Sequence, residues 1–321
     1  MNYKIFAIDD SPLSYKIAHE LCKNSNENCI NDVLGELKID KFSDGEFSPQ
    51  FKQSIRDKQV FLVVSTTTPE KIMKLLLSID AAKRASASEI ILVIPYFGYS
   101  RQDRKEGSRG AIGAKLMADL LQTAGADRLI TIDLHSEQIQ GFFDIPVTLI
   151  HGHAVFSSFI KELSDDDYCI CSPDAGGVKR ANKFYSKFLK KFPDTHFAML
   201  SKLRSKPNTI ERMDLIGDVS DRTVILVDDM VDTGGTLVTA AKLLKEGGAK
   251  KVIAVLSHGI LSGVGHSRID ESVDLDQLVI TDSIEQPESL KITIMSSAKV
   301  LAAAIEAVVY SWSIDTHLEK I

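Results

Sequence analysis

The sequence predicts an α/β fold built on mainly parallel sheets. Apolar runs of strand length alternate with longer runs of helical period along the whole chain, the order that places parallel strands under crossover helices. Most strand runs are continuous Val, Ile and Leu stretches without polar alternation, the mark of strands covered on both faces. At 321 residues the chain is long for one core, so two domains are expected.

In chain order, strands are expected at 4–8, 60–65, 90–95, 129–133, 168–172, 197–200, 224–227, 252–256, 278–281 and 292–295. Helical patterns occupy 70–85, 114–124, 179–190 and 237–246. An Ala/Val-rich segment at 297–309 reads as a closing helix. The stretch around Asp144-Ile-Pro146 divides this pattern, four strand runs before it and six after, into two halves, 1–148 and 149–321, each expected to form a five-stranded sheet. The closing helix falls in the second.

Composition narrows the function. Hydrophobic residues make up 44% and charged residues 26%, the balance of a soluble globular protein. A net charge of −6 implies no global attraction to nucleic acid. The apolar runs are too short to span a bilayer. Met1 to Phe6 leads into a strand pattern without the apolar core of a signal peptide. A cytoplasmic enzyme is the expectation. Cys22, Cys29, Cys169 and Cys171 form no zinc-like pair. Cys169 and Cys171, two apart on a strand, read as buried free thiols on one face.

The chemistry concentrates after the strand at 224–227. Asp228, Asp229 and Asp232 are followed by Thr233-Gly-Gly-Thr236, and a helix begins there. A strand, a glycine turn and a helix N-terminus present backbone N–H groups and a positive dipole end to phosphate. The acids just upstream suit sugar hydroxyls or a hydrated cation. Capping alone does not require three carboxylates and two glycines together.

Other loops follow strand ends, where open parallel sheets place ligands. Pro173-Asp-Ala-Gly-Gly-Val-Lys-Arg180 sets Asp174 beside a glycine pair, fit for a metal and an anion, or for an ordinary strand-to-helix turn. His135 follows the strand at 129–133. Tyr96 to Lys105 mixes three aromatic rings with three cations, which suit a nucleobase and its phosphates or a solvated basic loop. Lys202 and Arg204 lie at alternate positions before a polar stretch, placed to stabilise charge on a transferring phosphoryl group. Neither a Walker loop nor a G-x-G-x-x-G fingerprint occurs.

Taken together these segments resemble the ribose-phosphate diphosphokinases, also called phosphoribosyl pyrophosphate synthetases. The matching runs are Lys41-Phe-Ser-Asp-Gly-Glu46, Arg101-Gln-Asp103, Asp133-Leu-His-Ser-Glu-Gln-Ile-Gln-Gly-Phe-Phe-Asp-Ile-Pro146, Ser172-Pro-Asp-Ala-Gly-Gly177, Val227-Asp-Asp-Met-Val-Asp-Thr-Gly-Gly-Thr236 and Ser257-His-Gly259. The resemblance implies two phosphoribosyltransferase-like domains facing across a cleft. It implies transfer of a diphosphoryl group from MgATP to the anomeric hydroxyl of ribose 5-phosphate, releasing AMP.

By motif, Asp232, Thr233, Gly234, Gly235 and Thr236 correspond to the 5-phosphate loop, and Asp228 and Asp229 to the acids that receive the ribose hydroxyls. Phe42, Asp44, Gly45, Glu46, Arg101 and Gln102 correspond to the ATP site, with Phe42 against the adenine. His135 and Asp174 resemble the metal-linked pair, with Mg2+ as cofactor. Lys202 and Arg204 match a mobile catalytic loop. The resemblance also implies a homo-oligomer, a dimer or hexamer of dimers, with some ATP contacts from a neighbouring subunit.

Three segments depart from the family pattern. Ala111 and Gly113 replace a proline and a hydroxyl residue. The loop from Ser65 to Glu70 is about two residues short and lacks an Asn-Asp pair. The C-terminal Tyr310 to Asp315 lacks the usual ending. The resemblance therefore implies the catalysis but not phosphate or ADP regulation. Two rival readings share parts of the pattern: a phosphoribosyltransferase, which consumes the product, and a non-catalytic regulatory relative.

Overall fold

The computed structural model describes residues 2–23, 29–164, 166–203, 212–287 and 289–318. The chain forms two compact units, one from Met1–His151 with Ser297–Ile321 and one from Gly152–Ser296. Among the described residues no helix is long and apolar enough to cross a membrane.

The strands of the first unit are β1 (Tyr3–Ala7), β2 (Leu37–Lys41), β3 (Phe47–Phe51), β4 (Gln59–Val63), β5 (Glu89–Ile94), β6 (Arg128–Ile132) and β7 (Val147–Ile150). Five form one sheet in the order β1-β4-β5-β6-β7, every pair parallel. Helices α1 (Leu13–Cys22), α2 (Pro69–Arg84) and α3 (Gly113–Ala124) accompany it. Leu62, Leu92 and Leu129 meet Leu75, Ile79 and Leu121 of α2 and α3 in one core. Strands β2 and β3 form a separate antiparallel hairpin, which the continuous-run reading did not anticipate.

α2 starts as its sequence dictates. Thr68 caps it by accepting a hydrogen bond from the Lys71 amide at 3.3 Å, Pro69 occupies the first turn, and Lys83 and Arg84 close the last. Its start also meets the hairpin. Lys41 pairs with Glu70 at 2.8 Å, and the Lys41 and Lys74 ammonium groups lie 5.2 and 5.0 Å from the Phe47 ring centroid.

The second unit holds β8 (Tyr168–Ser172), β9 (His196–Leu203), β10 (Arg212–Ile216), β11 (Thr223–Val231), β12 (Lys251–Gly259), β13 (Gln277–Thr281) and β14 (Ile292–Met295). They form a seven-stranded sheet in the order β10-β9-β8-β11-β12-β13-β14, two strands wider than the expected five. Only β10, on an edge, runs antiparallel to its neighbour. The chain builds outward from β8 in one direction and from β11 in the other, so the strand order reverses between them. Such a switch opens a crevice at the carboxyl ends of the strands, where open α/β sheets bind ligands.

Helices α4 (Val178–Phe188), α5 (Gly235–Glu246) and α6 (Gly265–Glu271) belong to this unit. Val224 and Leu226 of β11 face one core with Leu237 and Leu244. Ile225 and Val227 face another with Phe184 and Phe188. Burial on both faces explains the unbroken apolar run.

The closing helix, Ala298–Val309, packs in the first unit against α1 rather than with the second half. Element order along a chain does not specify which sheet a terminal helix covers. Cys169 and Cys171 are buried free thiols, as their spacing predicted. Burial pushes the Cys169 thiol up to about 12. Cys22 and Cys29 form a disulfide that the sequence reading did not foresee.

Candidate functional site

β11 runs on to Val231, past the expected end of the strand, so Asp228 and Asp229 lie within it. The register pairs Asp228 with Leu256, Met230 with His258 and Val231 with Gly259 of β12. His258 is itself buried, and its Nδ1 lies 2.8 Å from Ser283 Oγ. The Ser257-His-Gly259 run is thus the neighbouring strand that fixes the acids in place.

Both carboxylates turn toward one cation. Arg180 Nη1 lies 3.4 Å from Asp228 Oδ1 and 3.5 Å from Asp229 Oδ1. Asp229 is buried and Asp228 half-buried. Desolvation, then the Asp229 charge, hold the Asp228 carboxyl well above the usual carboxylate range, with Asp174 adding to the rise and Arg180 opposing it. Two carboxyl groups turned toward a guanidinium in this way suit hydroxyl donors or a cation.

The glycine turn follows directly. Gly234 adopts φ 74°, a left-handed conformation that favours glycine. It caps α5 without a side-chain bond, and no acidic residue occupies the first turn of that helix. The first amides of a helix lack intrahelical acceptors. A helix start of this kind is suited to receive an anion. Asp232, Thr233, Gly234, Gly235 and Thr236 lie between the end of β11 and the first turn of α5.

Asp174 lies beyond β8, on the other flank of the strand-order switch. Its Oδ1 accepts the Gly177 amide at 2.9 Å, so part of its carboxylate shapes the turn into α4. Lys202 lies within β9, paired with Met213 of β10, because that strand continues beyond its expected end at 200. Arg204 falls outside the described residues.

In the first unit the β2–β3 hairpin presents the expected nucleotide residues at its tip. The Phe42 amide donates to the Glu46 carbonyl at 2.8 Å and the Gly45 amide to the Phe42 carbonyl at 2.9 Å. Asp44 Oδ1 accepts the Glu46 amide at 3.1 Å. Phe42 is left 55% exposed at the tip. Arg101 and Gln102 lie in the loop after β5. A Cβ at Gly113 would sit 2.5 Å from Gln102 Oε1, so the departure at 113 makes room for that side chain.

His135 is exposed, just beyond β6. Asp133, two residues earlier, is buried with φ 32° and lies 3.8 Å from His151 Nδ1. His135 and Asp174 belong to different units.

Two arginines escaped the sequence reading. Arg180 ends the quoted glycine loop, and helical spacing from Gly177 would have turned it back over the strand ends. Arg268, on α6, donates from Nη1 to the Thr233 carbonyl at 2.6 Å. No local signal marks it, because α6 reaches the turn only in three dimensions.

Comparison with known proteins identifies the family. Residues 3–125 match the model of the N-terminal domain of ribose phosphate pyrophosphokinase, and residues 192–316 that of the phosphoribosyl synthetase-associated domain. The chain is 46% identical over 318 residues to the ribose-phosphate pyrophosphokinase of Porphyromonas gingivalis, covering 98% of each. It is 45% identical over 307 residues to that of Oceanobacillus iheyensis, covering 94% of this chain and 92% of the relative. The crystal structure of phosphoribosylpyrophosphate synthetase from Mycobacterium smegmatis superposes with a TM-score of 0.84 at 35% identity, over 97% of this chain and 100% of that one. A glycine turn at a strand-order switch, acids on the strand before it and near full-length likeness converge: the chain belongs to the ribose-phosphate pyrophosphokinase family.

Proposed function

We propose that the chain transfers the diphosphoryl group of MgATP to the 1-hydroxyl of ribose 5-phosphate, giving phosphoribosyl diphosphate and AMP. The observation that carries this reading is the end of β11, which delivers two acids and an anion-receiving helix start to the switch between β8 and β11. A sugar diol and a phosphate on one molecule match that pair of features.

The 5-phosphate takes the amides and hydroxyls of Asp232 to Thr236. Asp228 and Asp229 accept hydrogen bonds from the 2- and 3-hydroxyls, which orients the ring and presents the anomeric oxygen. The nucleotide is held by Phe42 against the adenine, with Asp44, Gly45, Glu46, Arg101 and Gln102 around it. The anomeric oxygen attacks the β-phosphorus in line. Its new bond forms as the bond from that phosphorus to the α–β bridging oxygen breaks; AMP leaves, and the proton of the 1-hydroxyl is released to water. No protein side chain is bonded to the group in transit.

Among the described residues no three His, Cys, Asp or Glu side chains gather into a metal cage. That fits magnesium, which is commonly held by one or two protein ligands together with substrate phosphates. Asp174 is proposed as a metal ligand of the second unit, with oxygen chemistry suited to a hard cation, and His135 as a metal-linked residue of the first. Bound Mg2+ would neutralise charge on the triphosphate. Lys202 and Arg204 add positive charge as the β-phosphoryl group is transferred, an interaction strongest in the transition state.

The test is AMP release with and without ribose 5-phosphate, repeated with Lys202→Ala. AMP formed only with the sugar present supports the reaction; retained ligand binding without turnover would instead indicate the regulatory relative. Lys202→Ala should lower kcat by roughly 10²–10³-fold with little change in ribose 5-phosphate binding. Weakened sugar binding at unchanged kcat would refute the role of Lys202.

A further inference from the structure

The phosphate turn does not hold its shape alone. The chain leaving β12 folds over its outer side. The amides of Ile260 and Leu261 both donate to the Val231 carbonyl, at 2.8 and 3.2 Å. Ser262 Oγ is hydrogen-bonded to Asp232 Oδ1. At Gly265 a Cβ would stand 2.5 Å from the Asp232 carbonyl oxygen, so only glycine lets α6 approach this closely.

Arg268 completes the brace. Besides the 2.6 Å hydrogen bond from its Nη1 to the Thr233 carbonyl, that same nitrogen lies 3.3 Å from where a Gly235 Cβ would be. Its Cδ lies 3.7 Å from the corresponding position at Gly234. The guanidinium therefore lies against the bare glycine backbone at the start of α5. Among the described residues no carboxylate pairs with it. Its charge is left beside a helix start that also lacks acids.

The consequence follows from peptide geometry. In a planar trans peptide the C=O of one residue and the N–H of the next point in opposite directions, and no cis bond occurs among the described residues. A Thr233 carbonyl held outward by Arg268 turns the Gly234 amide to the opposite side. A Val231 carbonyl held by Ile260 and Leu261 does the same for the Asp232 amide. Amides fixed in this way make a concave anion receptor.

We propose that Arg268 is a positioning residue for ribose 5-phosphate: from α6 it sets the Thr233–Gly234 peptide so that the turn receives the phosphate, and it adds a positive charge beside that turn. The assignment rests on the reading of Asp232 to Thr236 as the 5-phosphate site. It predicts an effect confined to one substrate. The sugar phosphate binds more weakly without Arg268, while ATP use and the transfer step are unaltered once the site is filled.

The experiment compares the full-length chain with Arg268→Met and Arg268→Lys. Calorimetry gives the Kd for ribose 5-phosphate, and steady-state assays give kcat and both KM values. Arg268→Met should raise the Kd and KM for ribose 5-phosphate by about tenfold, with kcat and the KM for ATP within about twofold of the parent. Arg268→Lys should recover part of the loss, since an ammonium restores a charge and a donor. Raising salt should narrow the gap between parent and Arg268→Met, because part of it is electrostatic. A merely structural role would move both substrates together and would show no such salt dependence. Unchanged ribose 5-phosphate affinity in Arg268→Met would overturn the proposal while leaving the site reading intact. A parent chain that fails to bind ribose 5-phosphate would overturn the site reading itself. If Arg268→Met does not fold, Arg268→Lys decides: a raised KM for ribose 5-phosphate with kcat and the KM for ATP unchanged supports the proposal, and either a parent-like KM or equal weakening toward both substrates overturns it.

Discussion

Asp228 and Asp229 are consecutive acids on one strand, and the Arg180 guanidinium lies 3.4 and 3.5 Å from them. The arrangement suits a site that must receive hydroxyl donors, but it strains the ligand-free protein. Asp228 has its carboxyl pushed upward, chiefly by desolvation and by Asp229. A carboxyl whose folded pKa exceeds its unfolded value binds protons more readily when folded. Its contribution to stability is fully present below the unfolded value, about 3.9, and is lost as pH rises through the folded value. Asp228→Asn removes a charge that is unfavourable only above that range. In thermal unfolding without ligand, the variant should therefore match its parent near pH 4 and gain on it toward pH 8. Each kcal/mol recovered raises Tm by roughly 2–4 °C. A constant difference across the pH range would mean that the buried charge is already balanced.

Elements differ in how openly the sequence declares them. Strands β4, β5, β8, β11 and β12 were legible because burial on both faces leaves an unbroken apolar run. The missed strands are those where that pattern fails. Leu37–Lys41 alternates apolar and charged residues, and Phe47–Phe51 contains Pro49. Arg212–Ile216 is an antiparallel edge strand, and Val147–Ile150 is a four-residue edge. The site divides the same way. The acids and glycines lie together in one run, whereas Arg180 meets Asp228 from 48 positions away and Arg268 meets Thr233 from 35. α2 was legible through its period, whereas its Thr68 cap emerged only in the structure, and its start lies against the hairpin that carries Phe42. Thr68→Ala leaves the Lys71 amide without its capping oxygen and should cost about 1 kcal/mol of stability. Denaturant unfolding would measure it as a lower midpoint at unchanged slope. Thr68→Ser keeps the oxygen and should restore most of the loss; a serine variant as weak as the alanine variant would point to lost methyl packing instead.

At the scale of the whole molecule, the chain crosses between units twice. It leaves the first unit after His151 and returns to it at Ser297. Residues 152–296 are therefore one continuous segment containing the entire seven-stranded sheet and two apolar clusters, one on each face. The first unit is discontinuous. Its α1 packs against the closing helix, which supplies buried Val300, Leu301 and Ile305, and the chain reaches that helix only after completing the second unit. Independent folding should follow this division. Expressed alone, 152–296 should unfold cooperatively, because its strands and their covering helices come from one stretch of chain. It should also bind ribose 5-phosphate, since β11, the glycine turn and α6 all lie within it. The segment 1–151 alone lacks the apolar cover of α1 and should be aggregation-prone or loosely packed. Joining 297–321 to it through a flexible linker should restore a cooperative transition. Circular dichroism melts of the three chains decide the matter. A cooperative 1–151 with a molten 152–296 would mean that the closing helix contributes little and that the second sheet depends on the first unit for its stability.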